Sequence, residues 1–268
     1  RGIVNPVTKA VGWSGPEVLY AALTDNFQGY DFGPPAPIAK GAGVEGQGGP
    51  IYLHGITKQI DTTDPNHQTG NLIRVHRSTD HGLTWATQGQ ILTDLNHQAD
   101  GYWQEDDFGL FNTHILADPA TSNVWAFYVD YEDRPCGDPG PPRRVAVLYC
   151  CKSTDHGASW NAPLSVLSSA AYATIPCSPG NYGKLPDAEG NYTRNGYFRI
   201  GRVWACRDAA GRIHVVWMDN REGKHPDEAS YLNRDFWRVY RSYSADGGTT
   251  WTNVALAVST ATSLGGYE

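Results

Sequence analysis

The sequence predicts an all-β protein assembled from repeated four-stranded antiparallel units, and three observations carry that expectation. The first is one phrase written three times: Ser78-Thr79-Asp80-His81-Gly82-Leu83-Thr84-Trp85, Ser153-Thr154-Asp155-His156-Gly157-Ala158-Ser159-Trp160 and Ser244-Ala245-Asp246-Gly247-Gly248-Thr249-Thr250-Trp251, or S-x-D-x-G-x-[TS]-W. A pattern recurring at long spacing marks one supersecondary unit used repeatedly. The second is that Thr, Val, Tyr and Trp fall in short alternating runs bounded by turn residues. The third is composition: 30 Gly and 17 Pro against a single Met describe a chain with many turns and short strands.

Each element follows from anchoring on the phrase, whose chemistry is that of a tight turn. Asp and Ser side chains satisfy nearby backbone donors, Gly supplies a backbone angle other residues resist, and Trp covers the turn as an apolar lid. In the second unit residues 108–117 form a first strand and 124–130 a second, separated by the turn 118–123. Residues 144–152 form the third, and the phrase turns the chain into a fourth at 160–167. The third unit repeats the order at 198–207, 213–219, 237–244 and 251–258, with a turn at 208–211. Val124-Trp125-Ala126-Phe127-Tyr128-Val129-Asp130 matches Ile213-His214-Val215-Val216-Trp217-Met218-Asp219 position by position, which sets the register between units. The first unit fits more loosely at 18–24, 51–57, 72–77 and 85–92. Three four-stranded units in succession are three blades of a β-propeller, here about 13–93, 108–168 and 197–259 of a single segment, 1–268.

The repeated phrase resembles the Asp box, or BNR repeat, of the sialidase-type β-propellers. The resemblance implies that Ser78, Asp80, Gly82, Trp85, Ser153, Asp155, Gly157, Trp160, Ser244, Asp246, Gly248 and Trp251 staple turns on the face away from any active site. Sialidase propellers have six blades, so the resemblance also implies a partial propeller within a longer chain. The remaining blades then come from that chain or from another copy, since an open ring would leave strand edges unpaired.

Loops sort by face. The loops 58–70, 131–143 and 220–235 and the connectors 93–107 and 168–197 gather on the face opposite the turn phrases, where binding is expected. The Gly- and Pro-rich stretch 28–50 is the exception and reads as a loop on the turn-phrase face. Tyr197-Phe198-Arg199-Ile200-Gly201 is similar to the sialidase F/Y-R-I-P motif, with Gly201 in place of Pro and a later position in the chain. Trp217-Met218-Asp219-Asn220-Arg221-Glu222 resembles the W-x-D-x-R strand endings of the same superfamily, and Tyr131-Glu132-Asp133-Arg134 echoes it. These matches make Arg199, Arg221, Asp219 and Arg134 the candidate substrate-binding residues, a guanidinium fork being suited to a carboxylate. The competing reading is inter-blade salt bridging among Arg199, Arg202, Arg221, Asp219 and Asp130.

No catalytic set is identified. Sialidase chemistry needs three arginines, a Tyr paired with a Glu, and an Asp. Glu105, Asp106, Asp107, Tyr182, Tyr192 and Tyr197 supply residue types without a telling spacing. The nine histidines lack metal-ligand spacing and no cofactor loop is present, so neither a metal nor a cofactor is expected. A net charge of −7 without a basic stripe argues against nucleic acid, and no apolar run reaches the length of a membrane span. Five cysteines occur without C-x-x-C spacing, and Cys136 and Cys177, both in long loops of one face, are expected to form a disulfide. Adjacent Cys150 and Cys151 point to opposite faces of a strand, so one is expected inside and the other outside. The expectation is a secreted, extracellular, glycan-directed propeller, an exo-glycosidase acting on sialic or another sugar acid if it is an enzyme. The alternative is a non-catalytic module for extracellular adhesion, carbohydrate binding or assembly.

Overall fold

The computed structural model describes residues 2–4, 11–13, 27–31, 38–40, 50–60, 68–79, 90–91, 113–118, 120–135, 143–175, 200–219, 221, 238–252 and 255–256. Its strands are β1 (Gly2–Val4), β2 (Val11–Trp13), β3 (Phe27–Asp31), β4 (Ile38–Lys40), β5 (Ile51–Ile60), β6 (Gln68–Ser78), β7 (Gln90–Ile91) and β8 (Thr113–Ala117). They continue as β9 (Val124–Arg134), β10 (Arg143–Ser153), β11 (Leu164–Ser165), β12 (Ile200–Arg207), β13 (Ile213–Asp219), β14 (Arg238–Ser244) and β15 (Ala255–Leu256). One short helix, α1 (Ser169–Tyr172), is present among the described residues, capped by the Ser168 side chain, which accepts from the Ala171 N–H.

Three sheets are each built by stepping outward along the chain. The second runs β8-β9-β10-β11 and the third β12-β13-β14-β15, every neighbouring pair antiparallel. The first runs β3-β5-β6-β7, with β4 also paired to β5. The first strand of the second sheet, β8, lies against β4 and β5 on one side and β12 on the other. Innermost strands side by side, with the sheets radiating from them, make these sheets three successive blades of an all-β propeller.

The core lies between blades. Val124 to Tyr128 and Val145 to Cys151 are buried at every position, without the in-out alternation of a half-exposed sheet. That is what packing on both faces demands of a central blade. The two cysteines follow the same logic and correct the expectation above: Cys150 and Cys151 do point to opposite faces, yet both are 1 % exposed. Burial pushes the Cys151 thiol up to about 12, and Cys150 is raised as well.

Three further departures have physical causes. The inner edge of β5 is occupied by β3 and β4, which run in line along it. The stretch assigned to a loop therefore supplies the inner strand, while 18–24 lies outside the described residues. Pro34, Pro35 and Pro37 break the period-two pattern that would have revealed the strand in the sequence. Second, β9 and β10 pair as far as Arg134 and Arg143, and β5 and β6 as far as Ile60 and Gln68. Part of what reads as loop is thus a projecting hairpin. Third, the outermost strand β11 is two residues long, far shorter than the 160–167 the sequence suggests, while the residues flanking β7 and β15 lie outside the described residues.

Candidate functional site

The turn phrases have one hydrogen-bond plan, seen twice. Ser153 Oγ donates to Asp155 Oδ1 at 2.7 Å and accepts from the Gly157 N–H at 2.7 Å. Asp155 Oδ1 also accepts from the Ala158 and Ser159 N–H groups, at 3.0 and 2.9 Å, while its Oδ2 takes the Ser159 hydroxyl at 2.5 Å. In the third blade Ser244, Asp246, Gly248, Thr249 and Thr250 repeat all five bonds at 2.7, 2.7, 3.0, 2.8 and 2.5 Å. Every donor belongs to the same turn. The hydroxyl and amide of Ser159, with Ser153 behind them, hold the Asp155 carboxyl well below the usual carboxylate range, and Thr250 and Ser244 do so for Asp246. The turn needs two left-handed residues, His156 (φ 59°) and Gly157 (φ 75°) in one case, Gly247 (φ 72°) and Gly248 (φ 94°) in the other. Of the first phrase only Ser78 and Thr79 lie among the described residues, so Asp80, Gly82 and Trp85 lie outside them.

The same turns tie neighbouring blades together. Arg77 of the first blade donates Nη1 to the His156 carbonyl at 3.0 Å, and Trp125 of the second donates Nε1 to the Gly247 carbonyl at 2.9 Å. A Cβ on Gly248 would stand 3.2 Å from the Trp125 ring, so the glycine also permits the close approach. Trp251 completes the contact edge-on to Phe127, ring centroids 5.9 Å apart. Arg207 of the third blade reaches Asp118 of the second at 3.2 Å. These carboxylates and carbonyls are spent on the scaffold.

The opposite face holds a different arrangement, built from the end of β13. Asp219 is fully buried there, pairing across the sheet with Ile200 and Arg238. Its carboxylate accepts from Trp217 Nε1 at 2.8 Å and from Arg221, through the backbone N–H at 3.1 Å, Nε at 2.9 Å and Nη2 at 2.6 Å. The Arg221 guanidinium lies over the Tyr240 ring, 3.9 Å from its centroid, and its side chain keeps 16 % exposure. Burial pushes the Asp219 carboxyl up against the pull of these donors. Burial also works against the charged Arg221, but the bonds and charge of Asp219 outweigh it and raise its pKa. The result is a cation fixed in position at the rim of the loop face, its Nε–Nη2 edge committed to Asp219. Next to it, α1 supplies Tyr172, whose hydroxyl donates to the Ala146 carbonyl at 3.1 Å.

The structure therefore brings Asp219 and Arg221 into one unit and adds Trp217 and Tyr240 to it. Trp217 stood within the sequence motif; Tyr240 had no local signal, being on the next strand. Arg199 lies outside the described residues, though Ile200, which follows it, is the cross-strand partner of Asp219. Arg134 ends β9 directly opposite Arg143, placing two arginines in register on the second blade's hairpin. Cys136, Cys177, Glu105, Asp106, Asp107, Tyr182, Tyr192 and Tyr197 also lie outside the described residues. Cys206 is a free, exposed thiol. Among the described residues no group of three or more His, Cys, Asp or Glu is placed to hold a metal ion, and no helix is long and apolar enough to cross a membrane.

No protein-family model matches the chain, and no curated protein matches it. Solved structures of similar outline include an α-L-arabinanase of Penicillium chrysogenum complexed with arabinobiose, at 11 % identity and a TM-score of 0.47, covering 90 % of this chain and 52 % of that one. The GH93 α-L-arabinofuranosidase of Fusarium graminearum follows at 16 % identity and a TM-score of 0.43, covering 81 % and 48 %. A Hadza microbial sialidase, Hz136, has 14 % identity and a TM-score of 0.46, covering 82 % and 36 %. The chain spans about half the length of the first two.

Proposed function

We propose that this protein is a secreted, glycan-directed propeller that binds an anionic sugar on the face opposite the turn phrases, and acts there as an exo-glycosidase. The observation that supports this reading is the Asp219–Arg221–Tyr240 unit. A guanidinium clamped along one edge and stacked on a ring loses little side-chain entropy when a carboxylate arrives, whereas a free surface arginine would lose more. Arg199, one residue before the strand partner of Asp219, and Arg134 are the further cations this reading assigns to the site. A sugar acid presents a carboxylate to the cations and an apolar ring face to neighbouring aromatic side chains. Extracellular action follows from the ligand, since such sugars terminate secreted and cell-surface glycans.

Titration of the protein with free sialic acid and other sugar acids tests the binding reading. Arg199→Lys and Arg221→Lys keep the charge and remove the fork, so affinity should fall about 5- to 100-fold, and because Arg221→Lys also loses bonds to the buried Asp219 its affinity is measured well below its lowered thermal midpoint. Unchanged affinity in both variants would end the proposal. Turnover is tested on a panel of chromogenic sialosides, uronides and arabinosides, the last because arabinan-degrading enzymes stand among the structures of similar outline. Binding of a sugar acid without turnover of any of them would leave a carbohydrate-binding module.

A further inference from the structure

The third turn phrase differs from the second at a residue with chemical consequences. An Asp followed by Gly is the step at which a peptide amide most readily attacks the preceding carboxyl, because no side chain shields its nitrogen. The chain has two such steps, Asp100-Gly101, outside the described residues, and Asp246-Gly247, within them. At the matching place in the second blade stands Asp155-His156. There the His156 N–H is also tied to the Ser122 carbonyl at 3.0 Å, and among the described residues no carbonyl does the same for the Gly247 N–H.

The turn opposes this reaction in two ways. The Asp246 carboxylate is held by Ser244 Oγ, the Thr249 and Thr250 amides and Thr250 Oγ1, so every donor draws it to a residue other than Gly247. The attack also needs a neutral carboxyl, which can release water. The same donors, Thr250 first, keep Asp246 ionised to well below the usual carboxylate range. Asp246 is nonetheless exposed, so water reaches it whenever the turn opens.

The geometry points to Asp246-Gly247 as a covalent modification site, closed while the turn is bonded, at which aspartate converts to isoaspartate and disconnects the third blade from the second. In the opened turn the Gly247 nitrogen attacks Cγ of the protonated Asp246 carboxyl. The N–Cγ bond forms, the Cγ–OH bond breaks, and water leaves with the amide proton. Water then adds to the main-chain carbonyl carbon of Asp246 in the cyclic imide and breaks its bond to nitrogen. The chain now runs through Cγ, and the former main-chain carbonyl is the free carboxylate. Water is the only co-reactant and no electrons are transferred. The backbone is longer by one methylene, about 1.5 Å. Gly247 offers its carbonyl to Trp125 Nε1 at 2.9 Å, and a Cβ on Gly248 would already stand 3.2 Å from that ring. An insertion of that length cannot keep both the bond and the fit.

The protein is aged in mildly acid buffer, and peptides spanning residue 246 are scored for isoaspartate by electron-transfer fragmentation. The native protein should convert at least about 10-fold more slowly than the urea-unfolded chain, because opening of the turn gates the reaction. Thr250→Val, which removes one carboxylate bond, should raise the native rate about 3- to 10-fold. Gly247→His, which copies the second phrase, should suppress conversion even in the unfolded chain, where folding of the variant plays no part. His156→Gly should open a second site at Asp155. The isoaspartate form, separated by chromatography, should melt below the unmodified protein, and the drop should be smaller in Trp125→Phe, whose bond to Gly247 is already gone. A native rate equal to the unfolded one would overturn the inference, as would a folded Thr250→Val that converts no faster than wild type. An isoaspartate form that melts with the unmodified protein would overturn the link between blades.

Discussion

The indole N–H of Trp125 meets the carbonyl of Gly247 at 2.9 Å across the boundary between two blades, 122 residues apart in sequence. Arg77 and the His156 carbonyl make the same connection one blade earlier. A turn whose side chains bond only within themselves thus turns its backbone outward and joins the sheets. The local and the long-range roles of the phrase reside on different atoms, and substitutions separate them.

Trp125→Phe removes the donor and keeps most of the ring, so it should cost about 1–2 kcal/mol in urea unfolding. Trp251 is the contrast. Its indole N–H, like that of Trp160, is buried without a hydrogen-bond partner. Trp251→Phe discards nothing that was satisfied and should be within about 1 kcal/mol of wild type, whereas Trp251→Ala should cost about 3–5 kcal/mol. Equal losses in Trp125→Phe and Trp251→Phe would show that the Gly247 bond contributes nothing.

His156 occupies a left-handed position where the third blade has Gly247, and its buried Nδ1 has no hydrogen-bond partner. His156→Gly should therefore raise stability by about 0.5–1 kcal/mol, the carbonyl that accepts from Arg77 being unaffected. Gly248→Ala should do the reverse and cost about 2 kcal/mol, because it adds a strained φ of 94° to a 3.2 Å contact with Trp125. The thermal midpoints of the two variants should move in opposite directions.

Asp155 and Asp246 have carboxyls depressed in the folded state. The folded protein then binds fewer protons than the unfolded chain in acid, so this contribution is present above the unfolded value near 4 and is lost as pH falls toward the folded one. Thermal midpoints followed from pH 6 to pH 2 should fall less steeply in the Asp155→Asn, Asp246→Asn double variant than in wild type. Parallel curves would contradict the linkage.

Asp219 has the opposite sign. Burial raises its carboxyl, so the folded state binds more protons between the unfolded value near 4 and its own, and stability from this group falls as pH rises. Arg221→Leu leaves the buried charge without its partner and should cost about 3–5 kcal/mol at pH 7. Part of that loss should return as the pH is lowered toward 5. A deficit independent of pH would mean that Asp219 keeps its charge on the bonds from Trp217 alone.

What the sequence determined by itself is the local part: the all-β class, the two described turns with their donors two to four residues from each Asp, the position-by-position correspondence of β9 with β13, and the Asp219–Arg221 pair two residues apart. Each is a short-range pattern, so spacing carries it. Tertiary structure decided the rest. The split inner strand β3–β4 belongs to its sheet only because β5 offers an unpaired edge, and both cysteines of β10 are buried only because blades cover both of its faces. Tyr240 reaches Arg221 because β14 lies beside β13. Arg77, Trp125 and Arg207 find partners 79, 122 and 89 residues away, on backbone carbonyls and a turn carboxylate. A carbonyl is the same in every residue, so no pattern of side chains announces which one will be met, and only the packing of one blade on the next selects it.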